Sequence, residues 1–144
     1  TPESFDKTVS AFTGTSKAWE MGEREPPLSE IEICAFEQKH LVKLPKEYRY
    51  VALKYGAGDF GYCRLYSPRD TDISIEKHFK AFDLPSTFLP VSDNGCGDYY
   101  GFEINGETCN SEVSIAEHEH SWKLSPSGCV DLFEFIVEHG TKAA

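Results

Sequence analysis

The chain has 144 residues, 40% of them hydrophobic and 26% charged, with a formal net charge of -10. That is the make-up of one globular domain able to bury a core without covalent staples. No apolar run reaches the roughly 20 residues a membrane-spanning helix needs, and a nucleic-acid-binding surface would carry the opposite sign of charge.

Residues 1–27 read as an N-terminal arm, irregular apart from one short helix around Asp6–Phe12 and closed by Pro26-Pro27. The opening TPESFDKTVS lacks the apolar stretch of a signal peptide. It also lacks an initiating Met, so the chain is expected to be trimmed or to begin within a longer protein. A single domain is expected over 28–144. In PLSEIEICAFEQKH, Ser29 and Glu32 have capping-box spacing and Leu28 can staple onto Ile33. Ile33, Phe36 and His40 then share a helical face. LPKEYRYVALKYG predicts a second helix, with Pro45 in its first turn, Tyr48, Val51, Ala52 and Tyr55 inward, and Gly56 as the left-handed stop.

FGYCRLYSP alternates as a half-buried strand, with Cys63 and Leu65 on one side and Tyr62, Arg64 and Tyr66 on the other. DISIEKHFKAF predicts a helix carrying Ile75, Phe79 and Phe82. STFLPV predicts a short strand whose proline marks an edge or a bulge. DYYGFEI alternates with Tyr100, Phe102 and Ile104 inward, and Asn105-Gly106 signals a hairpin. A further strand is expected around Glu112–Glu117. The last helix spans Val130–His139, with Leu132, Phe135 and Ile136 inward and Gly140 as its stop. Helices first, then mostly antiparallel strands, then a helix make an α+β fold: a mostly antiparallel or mixed sheet packed with N-terminal helices and a C-terminal helix.

The loop SDNGCGD, residues 92–98, raises the question of chemistry. Against an EF-hand register from Asp93, only the first position fits. A phosphate cradle needs a helix start and a nearby base, whereas here two carboxylates flank the glycines. The loop reads as a tight turn in which Gly95 and Gly97 take backbone angles other residues resist. In EHEH, His118 and His120 would share a face on a strand, and with Asp98 they could hold zinc in a hydrolase. Cys96 with His118 or His120 suggests a thiol nucleophile, but neighbouring carboxylates suppress the thiolate. Neither constellation rises above background, so the reading is a non-enzyme with no cofactor and no metal. Five cysteines without a C-x-x-C pair point to reduced thiols and a cytoplasmic setting.

The charge is uneven. From Ala81 to Trp122 there is no Lys or Arg, while Asp83, Asp93, Asp98, Glu103, Glu107, Glu112, Glu117 and Glu119 contribute eight acids. Such a segment either keeps the protein solvated or attracts a cationic partner.

Taken in order, PLSEIEICAFEQKH, LVKLPKEYRYVALKYGAG, FLPVSDNGCGDYYGFEING and VSIAEHEH resemble the SUKH superfamily of fungal Smi/Knr cell-wall regulators and bacterial immunity proteins. The resemblance covers about residues 28–139. It rests on Glu37, on Leu44-Pro45 with Glu47 and Tyr48, on Gly56, on Gly97-Asp98, and on His118-Glu119. It implies a protein-binding module without a catalytic centre. For bacterial members the partner is a toxin, often a nuclease; for fungal members the role is that of an interaction hub. With the charge pattern, this predicts a basic protein partner, no nucleic acid and no membrane. The expected contact residues are Asp83, Asp93, Asp98, Glu103, Glu112, Glu117 and Glu119, with Tyr99 or Tyr100 as aromatic anchor. Tyr100 reads as core, which leaves Tyr99 on the opposite side of its strand as the better anchor.

Overall fold

Local sequence signals place most of the elements. The computed structural model describes residues 1–79 and 83–142. Among them are helices α1 (Pro2–Thr15), α2 (Lys17–Met21), α3 (Glu30–His40), α4 (Lys46–Lys54), α5 (Ile75–Phe79) and α6 (Leu132–Thr141). The strands are β1 (Gly58–Phe60), β2 (Cys63–Leu65), β3 (Phe88–Asp93), β4 (Tyr99–Asn105), β5 (Thr108–Glu117) and β6 (Lys123–Pro126). β1 and β2 form a small hairpin; β3-β4-β5-β6 form an antiparallel sheet in that order. The fold is α+β.

The capping box of α3 is present in both directions. Ser29 Oγ accepts from the Glu32 amide at 3.2 Å, and Glu32 Oε1 accepts from the Ser29 amide at 3.1 Å. Arg69 then clamps the helix start, donating from Nε to Glu32 Oε2 at 2.6 Å and from Nη1 to the Pro26 carbonyl at 2.7 Å. α4 buries Tyr48, Val51 and Ala52, and Gly56 ends its turn with φ at 86°. Tyr48 is fully buried, and its hydroxyl donates to the Tyr66 carbonyl at 2.6 Å. The proline strand is both an edge and bulged: β3 borders the sheet, and its register slips between Pro90 and Ser92. The Asn105-Gly106 hairpin closes β4 onto β5, with Asn105 opposite Thr108.

The structure changes several expectations. The first 27 residues are not irregular. α1 and α2 fill much of that stretch, and Phe5, Val9 and Trp19 join the core. Thr1 caps α1 and Pro2 occupies its first turn, signals that start the helix ahead of Asp6, and it runs past Phe12 to Thr15. FGYCRLYSP is not one strand: Gly61-Tyr62 turns the chain between β1 and β2, and Tyr66 goes into the core instead of outward. α5 is short, and the expected third inward residue, Phe82, lies outside the described residues. β6 adds a strand that its sequence, KLSP, did not announce.

Gly140 does not stop α6 but lies within it. A Cβ there would stand 2.6 Å from the Phe60 carbonyl oxygen and 2.7 Å from Trp19 Cζ2. Its carbonyl accepts from Trp19 Nε1 at 3.1 Å and from the Tyr62 amide at 3.0 Å. The glycine lets the C-terminal helix approach α2 and the β1–β2 hairpin.

Asp6 ties α1 to α4 by accepting from the Tyr50 and Tyr55 hydroxyls, each at 2.5 Å, and from Lys54 Nζ at 2.7 Å. Burial alone would raise the Asp6 carboxyl, but these hydrogen bonds bring it down to about 2. The Arg69 hydrogen bond, then the Ser29 amide, bring Glu32 to about 2. Both carboxyls are therefore more acidic folded than unfolded. Their stabilisation is complete above the ordinary carboxylate values of 3.8 and 4.5 and lost as pH falls towards 2. Urea unfolding as a function of pH should give a plateau above about pH 5 and a decline below it; Asp6→Asn should flatten that decline.

Candidate functional site

Two loops meet at one end of the main sheet. In the 93–98 turn, Asp93 Oδ1 accepts from the Gly95 amide at 2.8 Å, and Asn94 Oδ1 accepts from the Cys96 and Asp98 amides at 2.8 and 3.2 Å. Gly95 and Gly97 have φ of 74° and 103°, the left-handed region glycine tolerates. The loop is thus a turn that launches β4. Residues His118–His120 form one turn of 3-10 helix, not a strand, so the two histidines do not share a strand face.

Asp98 joins the two loops. Its Oδ1 accepts from the His118 amide at 2.9 Å and pairs with His118 Nδ1 at 2.6 Å; its Oδ2 accepts from Asn94 Nδ2 at 3.0 Å. Burial pushes the Asp98 carboxyl up, but the His118 amide, the imidazole and Asn94 outweigh it and hold the group below the usual carboxylate range. Asp98→Ala should cost about 2 kcal/mol at neutral pH, because it orphans these donors. The gap to the parent chain should narrow on acidification, since a lowered pKa yields stability that is lost as pH falls through it. Paired urea titrations near pH 7 and at about pH 3 check this.

The catalytic alternatives find no supporting geometry. His118 is held by Asp98, and His120 Nε2 lies 3.9 Å from Glu117 Oε2, so Asp98, His118 and His120 do not converge on one point. No hydrogen bond joins Cys96 to either histidine among the described residues. All five cysteines are free thiols, two of them exposed, Cys34 and Cys96. Burial pushes Cys63, Cys109 and Cys129 up to about 12, Glu138 adding to the rise at Cys129.

The eight acids lie along the β4–β5 hairpin and the segments flanking it. Asp93, Asp98, Glu117 and Glu119 cluster around the joined loops. Glu103 on β4 and Glu112 on β5 are exposed and line one shallow depression with Asn110, Ser114 and Ser125. Glu107 occupies the hairpin turn at the far end, about 20 Å from Asp98 for strands of this length. Asp83 is exposed ahead of β3. Tyr99 is a correction: it is only 8% exposed and packs among Tyr66, His78 and Trp122, with its hydroxyl 3.0 Å from His78 Nδ1. It belongs to the core and offers no ring to a partner. Tyr100, read as inward, is half-buried against Phe135 and His139.

Among the described residues, every Lys or Arg ion pair serves an acid outside this segment. Lys39 meets Glu76, Arg49 meets Glu30 and Glu37, Lys54 meets Asp6, Arg64 meets Asp59, and Arg69 meets Glu25 and Glu32. Among the described residues the hairpin acids have only His118 and His120 as ion-pair partners. Among the described residues, then, no ion pair joins a lysine or arginine to the acidic segment, although Asp93 acts on Arg64 across the cleft and Lys123 stands opposite Glu117 in the sheet.

The residues that carry the resemblance serve as anchors. Glu37 Oε2 accepts from the Leu44 amide at 2.8 Å and its Oε1 from Arg49 Nη1 at 2.8 Å, which fixes the Leu44-Pro45 entry into α4. Glu47 and Tyr48 are buried behind it. Asp98 and His118 do the same for the two loops. No curated protein matches the chain at a significant level. The SMI1-KNR4 cell-wall family model SUKH_6 matches residues 30–136, from the first residue of α3 into α6. The anchors and that match place the chain in the SUKH superfamily, as a member of its SMI1-KNR4 family.

Proposed function

We propose that the chain is an immunity-type protein that binds and neutralises a cationic protein toxin, foremost a nuclease, through the acidic β4–β5 hairpin. Domains of this superfamily are protein-interaction modules in immunity systems, and the family is generally non-catalytic. No helix among the described residues is long and apolar enough to cross a membrane. The observation that carries the reading is the pairing pattern: among the described residues no lysine or arginine makes an ion pair with the hairpin acids, and Glu103, Glu112 and Glu119 are exposed.

A nuclease must present a basic cleft to its polyanionic substrate. A strip of fixed carboxylates about 20 Å long can occupy that cleft in the substrate's place, with fast and salt-sensitive association. Asp93 and Asp98 are held by local hydrogen bonds and give one end of the strip a preset shape. Glu103, Glu112 and Glu119 are free to adjust. The site of action is the cytoplasm, where an antidote meets a toxin arriving from outside.

Co-expression with the product of the adjacent gene tests the assignment. A basic neighbour that arrests growth alone, is silenced by this chain and co-elutes with it supports an antidote. A non-toxic neighbour, or one that still arrests growth, contradicts it and favours a hub that assembles regulatory proteins.

A further inference from the structure

A second feature lies where α6 borders a cleft of about 750 Å³ that shares only Asp93 with the acidic face. The cleft is walled by the β1–β2 hairpin, the 93–96 turn and the last turns of α6, with Tyr100, Phe135, Glu138 and His139 among its lining residues. Cys129, buried just ahead of α6, reaches this rim from behind. Its Sγ donates to Glu138 Oε2 at 3.1 Å. The Cys129 sulfur, a Glu138 carboxylate oxygen and a His139 ring nitrogen all lie within 4.8 Å of one another. No other group of three such residues among the described residues converges in this way.

We propose that Cys129, Glu138 and His139 form a three-ligand site for one divalent cation of the zinc class. Sulfur, imidazole nitrogen and carboxylate oxygen together are the donor set such an ion favours over magnesium or calcium. Tetrahedral zinc holds its ligand atoms about 3.5 Å apart, so small side-chain rotations close the set. Glu138 is exposed and free to make that rotation. His139 is preset: its ring stacks on Phe135 at 4.3 Å and leans on Tyr100 at 4.9 Å. The cleft supplies an entry path and room for a water as fourth ligand. As the Zn–S bond forms, the thiol proton leaves to solvent, and the Cys129–Glu138 hydrogen bond gives way to two metal bonds. Thiolate and carboxylate contribute two negative charges against the ion's two positive ones, with Arg64 and Lys142 the cations on the cleft wall. The bound ion would tie the segment ahead of α6 to the helix's last turns and so fasten α6 against the sheet.

The test uses the full chain, stripped with a chelator and titrated with zinc against a chromophoric competitor. The expected result is one equivalent per chain, weakened at least about tenfold by Cys129→Ser and by His139→Gln. Cobalt should give a thiolate charge-transfer band that Cys129→Ser abolishes. Zinc should raise the melting temperature of the parent chain and not of His139→Gln. Circular dichroism of the metal-free variants guards against misfolding; if Cys129→Ser does not fold, Glu138→Gln, a change at an exposed residue, takes its place with His139→Gln. Absent stoichiometric binding, binding untouched by these substitutions, or a cobalt spectrum without the thiolate band would overturn the proposal. None of these outcomes depends on a toxin, so the site stands or falls separately from the acidic face.

Discussion

Trp19→Ala should lower the unfolding free energy by about 3–5 kcal/mol, the range for truncating a buried large aromatic. Trp19 is 3% exposed, stacks on Phe12 at 5.4 Å and meets Phe60 edge-on at 6.1 Å. Its indole N–H satisfies the Gly140 carbonyl at 3.1 Å. The substitution therefore opens a cavity between α2, the β1–β2 hairpin and α6, and removes a buried hydrogen bond. Trp19→Phe keeps most of the ring and loses the N–H, so it should cost less, about 1–2 kcal/mol. Gly140→Ala attacks the same junction from the other side; with backbone and an indole both under 3 Å from the added carbon, it should cost about 1–3 kcal/mol. Urea unfolding curves measure all three. The family match begins at residue 30, so the experiment also asks whether the segment before it folds with the domain. A loss below about 1 kcal/mol for Trp19→Ala, far short of the core-aromatic range, would mean that α1 and α2 are a detachable arm.

What was legible in the sequence was local. The Ser29–Glu32 box, the Gly56 stop, the Asn105-Gly106 turn and the edge proline of β3 are decided within a few residues of themselves, and each reads the same in the structure. What escaped was set by distant partners. His118 and His120 continue an alternating pattern, yet the strand ends at Glu117 because the Asp98 carboxylate, 20 residues earlier, captures the His118 amide. Tyr99 sits at an outward position by alternation, but Tyr66, His78 and Trp122 cover that side of the strand. Gly140 has the look of a stop because glycine follows many helices; its reason is Trp19, 121 residues away. Cys129, Glu138 and His139 carry no motif spacing, and only the packing of α6 brings their ligand atoms together.

The candidate face divides in the same way. The run of eight acids without a base was plain in the sequence. That the ion pairs formed by lysine and arginine among the described residues would go to acids outside it was not, because those pairs span up to 48 residues.

Charge reversal on the hairpin provides the decisive measurement. Glu103→Lys, Glu112→Lys and Glu119→Lys change exposed side chains with no ion pair to a lysine or arginine, so folding stability should move by no more than about 0.5 kcal/mol at each. Together they shift the charge of the face by about six. Against the toxin captured by co-expression, the dissociation constant should rise at least about a hundredfold at low salt, a loss of about 2.7 kcal/mol. The dependence of affinity on salt should flatten at the same time. An unchanged affinity with an unchanged salt slope, in a triple variant that is still folded, would contradict the account and move the interface to another surface.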